Sequence, residues 1–474
     1  MSTISSAGIG SGLDVNSIIT QLMAIETQPL TALQKKATTI QSTVSEYGKM
    51  KSAVSTLNDL AAKLASTTTW GQTTVSSSNA AAVTATSSGS AAGSYSVQVQ
   101  TLASVQTLAS GVFASPTTTP GAGTLNIELG AWGTGQTSFT PKSGATSFNV
   151  DITATDTLAD VRDKINAAGA GVTALIMTDA SGSRLLMRSS ASGADNAFRT
   201  TVTDSDGNNT DAAGLSQFAY GTATKNLSLN QTAANAAATI NGLAVTSSTN
   251  SLANIVDGLS LTLSAVTTTA VNVGVVPDSA SLKKTLTDFA AAYSAVIKLI
   301  ATDTKYDATT KKGGILQGDN AAVGLQRQLR TLAGSSSGAS TVFSHLSDMG
   351  LQLQADGSMT VNATKLDSAM ANLPEVKKAF SNLGGSDATL NGFGKQFRDM
   401  TSAILGIEGA LTTRSNGLSK QLSRNQDDQD SMNVRLTGIE KRLRAQYTAL
   451  DTAMAQLNSS SAYITQQVAA WAKS

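Results

Sequence analysis

The sequence predicts an α+β multidomain chain: terminal helices paired as coiled-coil legs, with β-rich antiparallel domains inserted between them. Three observations lead there. Apolar residues recur three and four apart near both ends of the 474-residue chain, apolar/polar alternation fills the middle, and aromatic residues, at 4%, are too sparse for one large core. A chain of this length exceeds one ordinary core, and about two to four domains are expected.

The first helix opens after Asp14, whose carboxylate suits an N-cap. Val15, Ile18, Ile19, Leu22 and Met23 then fall on one face. No partner within the chain is guaranteed for this stripe, which makes it a candidate interaction surface. Pro29 interrupts the helix and can serve as the first residue of the next. From there Leu30, Leu33, Ala37, Ile40, Val44 and Tyr47 form a heptad seam, continued by Met50, Val54, Leu57, Ala61 and Leu64. The step from Tyr47 to Met50 is one residue short, a stammer expected to disturb supercoiling.

At the other end Leu418, Leu422, Asn425, Gln429, Met432, Leu436, Ile439, Leu443, Gln446, Leu450 and Leu457 hold a seven-residue repeat. Asn425 and Gln429 are polar seam residues of the kind that fix register at a cost in stability. Leu436, Ile439, Leu443, Leu450 and Leu457 join the N-terminal stripe as interaction candidates. The two rods, roughly 50 and 60 Å long, are expected to pack on each other or on copies from other subunits.

Between them, half-buried antiparallel strands are read from SYSVQV (Tyr95, Val97, Val99), TLNIEL, SFNVDI, LSLTL and AVNVGV. Ser/Thr/Gly-rich residues 76–90 and 115–123 read as connectors, and two short amphipathic helices are expected near residues 158–165 and 252–256. TLADVRD at residues 157–163 weakly repeats in SLANIVD at 251–257. Helices resume at Ser281, with Leu286, Phe289, Tyr293, Val296 and Ile300 facing inward. Asp319 or Asn320 then caps a helix carrying Val323, Leu325 and Leu329. A hairpin follows, turning at Asp356 and Gly357.

Composition narrows the function. Net charge is +1 without a basic stripe, so the footprint of a nucleic-acid binder is missing. The first lysine is Lys35 and no apolar run approaches the roughly 18 residues of a membrane span, so neither a Sec signal nor membrane insertion is expected. The chain has no cysteine, which removes disulfides, thiolate metal sites and cysteine nucleophiles.

No catalytic, cofactor-binding or metal-binding residue is assigned. His345 is the only histidine and lies in FSHLSDMGL, with no glycine-elbow serine to pair with. DSDGNNTD at residues 204–211 has the flavour of a calcium loop, but its glycine comes early and no closing glutamate follows, so an Asx-rich turn is the better reading. Gly8, Gly10 and Gly12 suggest a phosphate cradle, yet no buried strand precedes them and no lysine follows. They read instead as a leader that lets the N-terminus turn and pack closely.

Several segments carry a resemblance. ISSAGIGSGLDVNSIITQLMAIETQPL at residues 4–30 resembles the N-terminal signature of the bacterial flagellar filament cap family, also called hook-associated protein 2. AGSYSVQVQTLAS (residues 92–104) is similar to that family's first β segment. TLADVRDKINAAGAGVTALIMTDASGSRLLMRSS (157–190) resembles the insertion motif shared by flagellins and their hook-associated relatives. ATINGLAVTSSTNSLANIVDGLSLTL (238–263), FAAAYSAVI (289–297), GILQGDNAAV (314–323) and IEKRLRAQYTALDTAMAQLNSSSAYI (439–464) are similar to its C-terminal half. The match runs in order along nearly the whole chain, with residues 105–155 and 189–231 the most divergent.

The resemblance implies a structural protein and not an enzyme. It implies a homo-oligomeric ring of roughly five or six subunits at the filament tip, with flagellin inserted beneath a plate of β domains. It divides the chain into an N-terminal leg (1–70), joining strands (71–105), two β-rich plate domains (106–275, the outer one near 189–235), a helical/β leg domain (276–400) and a C-terminal coiled-coil leg (401–474). Implied partners are flagellin, hook–filament junction proteins, the flagellar type III export apparatus and a cytoplasmic chaperone on the C-terminal region. The implied location is secreted and extracellular. Two competing readings are an adhesin for mucin or glycans, for which Trp132 is the one candidate aromatic platform, and a junction or filament subunit.

Overall fold

Asp14 opens the first helix as its spacing predicts: its carboxylate accepts the Ser17 N–H at 3.0 Å. The computed structural model describes residues 14–89 and 91–471, so Gly8, Gly10 and Gly12 lie outside the described residues. Helix α1 spans Val15–Glu26 and ends at Thr27, and Pro29 then stands in the first turn of α2, Gln28–Ala65, where its missing N–H costs nothing. A short α3, Thr67–Trp70, closes this arm.

Strands follow: β1 (Thr73–Ser77), β2 (Val83–Ser87), β3 (Gly93–Thr101), β4 (Thr107–Ala109), β5 (Gly123–Trp132), β6 (Phe139–Pro141) and β7 (Phe148–Ile152). After α4 (Leu158–Ala168) come β8 (Val172–Asp179), β9 (Gly182–Ser189), β10 (Ala197–Asp204), β11 (Ser228–Gln231) and β12 (Ala236–Ile240). The last are β13 (Leu243–Ser247), β14 (Ser251–Val256), β15 (Leu259–Leu263) and β16 (Val271–Pro277).

Helical structure resumes with α5 (Ser279–Thr304), a small ribbon of β17 (Tyr306–Asp307) and β18 (Lys312–Gly313), and α6 (Asn320–Ala333). The Asp356–Gly357 turn joins β19 (Leu351–Leu353) to β20 (Met359–Val361). Helices α7 (Ala363–Met370), α8 (Leu373–Ser381), α9 (Phe393–Leu405) and α10 (Ala410–Trp471) complete the chain. The chain divides into two compact units, Met1–Trp70 with Ser279–Ser474, and Gly71–Asp278.

The inserted unit holds two separate apolar cores. One lies where the five-stranded antiparallel sheet β1-β16-β3-β12-β13 and the three-stranded sheet β14-β15-β2 bury alternate residues: Val97, Val99, Val271, Val273 and Val275 from the first, Leu259, Leu261 and Leu263 from the second. The other gathers Leu125 and Ile127 of β5, Val150 of β7, Phe198 of β10 and Leu185 and Met187 of β9 around α4. Alternation is clean because each sheet buries one face and wets the other.

Two sequence expectations fail here. Residues 76–90, expected as a connector, hold the end of β1 and all of β2, which pairs with β15 from Val83↔Leu263 to Ser87↔Leu259. The small side chains of VTATS offer little apolar contrast, so the partner strand and not local pattern decides their state. Residues 252–256, expected as a helix, form β14. Asp257-Gly258 is a two-residue hairpin turn with Gly258 at φ 80°, setting Val256 opposite Leu259. Its weak repeat at 157–163 does become α4, because Thr157 and Asp160 form a reciprocal capping box and Gly169 ends the helix in the left-handed conformation. The repeat is one of letters and not of structure.

The helical unit is built on the α2 seam. Tyr47, Met50, Val54, Leu57, Ala61 and Leu64 are fully buried against Leu286, Phe289, Tyr293 and Ile300 of α5, Phe393 and Phe397 of α9, and Leu411 and Leu418 of α10. Leu30, Leu33 and Ala37, earlier on the same seam, are only half-buried. The Tyr47-to-Met50 step therefore lies where α2 passes from a two-helix leg into a many-helix core.

Candidate interaction interface along the helical leg

The leg is an antiparallel pair of α1–α2 with α10, fixed at two levels. Arg444 Nη1 donates to Asn16 Oδ1 at 3.3 Å, and roughly thirty residues nearer the core, about 45 Å along the helices, Tyr47 and Arg414 meet on Asp319. Tyr47 Oη donates to Asp319 Oδ1 at 2.6 Å, and Arg414 Nε donates to Oδ2 at 3.0 Å. The same carboxylate caps α6 by accepting the Ala321 and Ala322 N–H groups. Asp319 belongs to the GDN of the quoted GILQGDNAAV, and it ties three helices together.

Burial alone would raise the Asp319 carboxyl, but the hydrogen bonds from Tyr47, Arg414 and the Ala322 N–H outweigh it and hold it below the usual carboxylate range. Burial first, and then the Asp319 carboxylate, push the Tyr47 phenol far above its ordinary range. The hub is therefore a phenol, a carboxylate and a guanidinium with their protons fixed at neutral pH. That arrangement holds structure and leaves no group poised to exchange a proton.

Within the leg, Val15 and Ile19 are buried at 2% and 3% exposure, on the helix that packs against α10. Ile18, Leu22 and Met23 are half-buried. On α10, Leu436 is buried and Ile439 and Leu443 are half-buried. Leu450 and Leu457 stand 45% and 63% exposed. The structure thus packs the helices that carry the two candidate stripes against each other and leaves Leu450 and Leu457 exposed. Ile464, Val468 and Trp471, at 61%, 55% and 75% exposure, were not among the candidates, although the same three-and-four spacing runs through Leu450, Met454, Leu457, Ile464, Val468 and Trp471. The intervening Ser461 hides that continuation.

Asn425 and Gln429 are buried in the seam, and Gln429 Nε2 donates to Asn425 Oδ1 at 2.7 Å. Asn425 Nδ2 is buried without a hydrogen-bond partner among the described residues. The same is true of Asp303 Oδ2 at the end of α5, where burial first and Glu46 second raise the carboxyl.

The remaining polar motifs are structural. Ser344 Oγ lies 3.0 Å from His345 Nδ1 and Asp348 Oδ2 lies 3.7 Å from that same nitrogen. Serine and carboxylate thus share one ring nitrogen, which cannot relay a proton between them, and Asp348 already accepts the Ser344 and His345 N–H groups. In the 204–211 loop, Asp204, Asp206, Asn208 and Asp211 each accept a backbone N–H two residues on, a run of Asx turns. Among the described residues no group of three or more His, Asp or Glu side chains is placed to hold a metal ion, and no helix is long and apolar enough to cross a membrane. Trp132 is packed edge-on between Phe139 and Tyr220, with its Nε1–H donated to Phe198 O, so its ring is engaged inside the inserted unit.

Comparison with known proteins gives the interface its setting. Family models match for the flagellar hook-associated protein 2 C-terminus over residues 233–459, its N-terminus over 11–106, and the flagellin hook IN motif over 138–191. The flagellar hook-associated protein 2 of Escherichia coli K12 is 28% identical over 98% of both chains. The B-type flagellar hook-associated protein 2 of Pseudomonas aeruginosa is 29% identical over 98% of this chain and 97% of the relative. The crystal structure of the D1-D2-D3 domains of the flagellar cap protein FliD from Escherichia coli aligns with 79% of this chain and 99% of its own, at TM-score 0.59 and 25% identity. These matches select the cap over the adhesin and the junction or filament subunit. The chain belongs to the flagellar hook-associated protein 2 family, the flagellar cap proteins, and its role is one of structure and assembly.

Proposed function

We propose that this chain sits at the growing filament tip as a ring of roughly five or six subunits, where it promotes folding and insertion of exported flagellin and prevents its leakage. The observation that carries this reading is the α10 seam: Leu450, Leu457, Ile464 and Val468 are 45–63% exposed along one helix. Exposed stripes of this kind mark interaction surfaces, and because these side chains are already about half covered, covering the rest contributes about 1 kcal/mol each. The lower α10 stripe, together with half-buried Ile18, Leu22 and Met23, docks on filament subunits or, before filament growth, on the hook–filament junction proteins. The inserted unit, with its two apolar cores, forms the plate.

A cysteine-free chain suits export in an unfolded state through the flagellar type III apparatus, to an extracellular destination. The same α10 stripe, at the C-terminal region, is what a cytoplasmic export chaperone would shield beforehand. The test substitutes Ile18→Asp with Leu22→Asp, and separately Leu450→Asp with Leu457→Asp. Each pair is expected to leave the subunit secreted while cells release unpolymerised flagellin into the medium. Filaments of normal length and number from both variants would overturn the docking role.

A further inference from the structure

The most exposed large apolar side chain among the described residues is Ile407, at 90%. It is not on a frayed segment. Gly406-Ile407-Glu408-Gly409 is a tight turn between α9 and α10, closed by Gly409 N–H to Gly406 O at 2.9 Å. Gly409 has no room for a Cβ, which would lie 2.1 Å from Ile404 O. The turn is thus a fixed knob with an apolar tip and a carboxylate beside it, and its flanking glycines keep it slim.

Elsewhere in the same unit, α6, α9 and the loops near residues 335–338 and 388–389 enclose an open groove of about 960 Å³. Leu332 and Met400 supply apolar surface, Thr331, Thr389 and Gln396 polar groups, and Arg327 the only charge. Arg327 and Glu408 are both exposed. Among the described residues neither takes part in an ion pair.

We propose that the Gly406–Gly409 knob of one copy seats in the Arg327 groove of the next, with Ile407 against Leu332 and Met400 and Glu408 paired to Arg327. The occupant is a second copy because this chain carries both halves of the match: an apolar tip with one anion, and an apolar floor with one cation. Ile407 is not in its own groove, as its exposure shows, and a knob and a groove at different places on one chain make the heterologous contact that generates rings. The groove is larger than one isoleucine and leaves room for a four-residue turn with two glycines. This contact rests on the ring reading above and names the surfaces that would close it.

Because the chain has no cysteine, engineered pairs read cleanly. Full-length Ile407→Cys chains are mixed with Met400→Cys or Leu332→Cys chains under mild oxidation. A disulfide-linked pair is expected in the mixtures and not in either chain alone. In the otherwise unmodified chain, Glu408→Arg or Arg327→Glu should weaken self-association about tenfold, and the double swap should restore most of it. Far-UV circular dichroism checks that these surface variants fold. If native mass spectrometry shows rings but no cross-link forms, or the double swap fails to restore association, this contact is wrong while the ring stands. A disulfide that forms as readily with Ile407→Cys chains alone as in the mixtures also overturns it. If the chain stays monomeric at every concentration, the ring falls with it.

Discussion

Replacing Asp319 by alanine removes hydrogen bonds from Tyr47 Oη (2.6 Å), Arg414 Nε (3.0 Å) and the Ala321 and Ala322 N–H groups (3.0 and 3.3 Å). Loss of the α6 cap costs about 1 kcal/mol, and stranding the buried Tyr47 hydroxyl adds about 1–3 kcal/mol. The Arg414 side chain is 42% exposed, so its lost pairing adds less than about 1 kcal/mol. The expected loss is about 3 kcal/mol, confined to the helical unit. It is read by urea unfolding with the fluorescence of Trp70, which is 4% exposed and stacked on Phe380, in a background where Trp132 and Trp471 are phenylalanine. Asp319→Asn keeps an acceptor for Tyr47 and for the cap, and should lose only about 1 kcal/mol. Since Asp319 titrates below the usual range, its contribution is complete above about pH 4 and is lost as pH falls through its folded value. The acid limb of the stability curve should therefore flatten in Asp319→Asn. An Asp319→Ala chain within about 0.5 kcal/mol of the parent, or an unchanged acid limb in Asp319→Asn, would refute the hub.

Three further outcomes are expected. Gly394→Ala would set a Cβ 2.7 Å from Ala65 N and 2.8 Å from the Leu64 carbonyl carbon, prising α9 from α2 at a cost of about 1–3 kcal/mol, visible as a lower thermal midpoint. Asp303→Asn should stabilise the chain by about 1 kcal/mol at neutral pH. Because Asp303 is raised in the folded state, the parent gains stability as it protonates, so the difference closes toward acid pH; a gap that widens instead would count against the reading. Asn425→Leu with Gln429→Leu removes a buried unpaired amide and should slow hydrogen exchange across the α10 seam. Faster exchange there would mean the polar pair stabilises the leg.

The terminal helices were legible because their own chemistry marks them: Asp14 and Asp319 as caps, Pro29 as a break, and a seam that repeats every seven residues. The strands around Val97, Ile127, Val150, Leu261 and Val273 were legible from alternation, and the Asp356–Gly357 turn from its two letters. What failed was decided at a distance or by a neighbour. VTATS becomes a strand through β15, far along the chain, and SLANIV through the Asp257-Gly258 turn beyond it. At the interface, spacing identified the stripe but not its cover. That Val15 and Ile19 are buried on the helix packed against α10 while Leu450 and Leu457 are exposed depends on register, which is set by Asn16 with Arg444 and by Tyr47 and Arg414 on Asp319. None of those contacts joins residues close in sequence.

The pairing of β1 with β16, with Thr73 opposite Pro277, bears on the order in which the chain folds. The helical unit is discontinuous, leaving off at Trp70 and resuming at Ser279. Joining α2 to α5 across an open loop of that length carries about 3 kcal/mol more closure entropy than joining them across a few residues. Once the inserted unit has zipped its first strand to its last, that excess is gone, and the two halves of the helical unit behave as near neighbours in sequence. The inserted unit thus acts as an internal clasp. A chain emerging unfolded would gain by completing it first, before α2 commits to partners contributed by residues more than two hundred positions away.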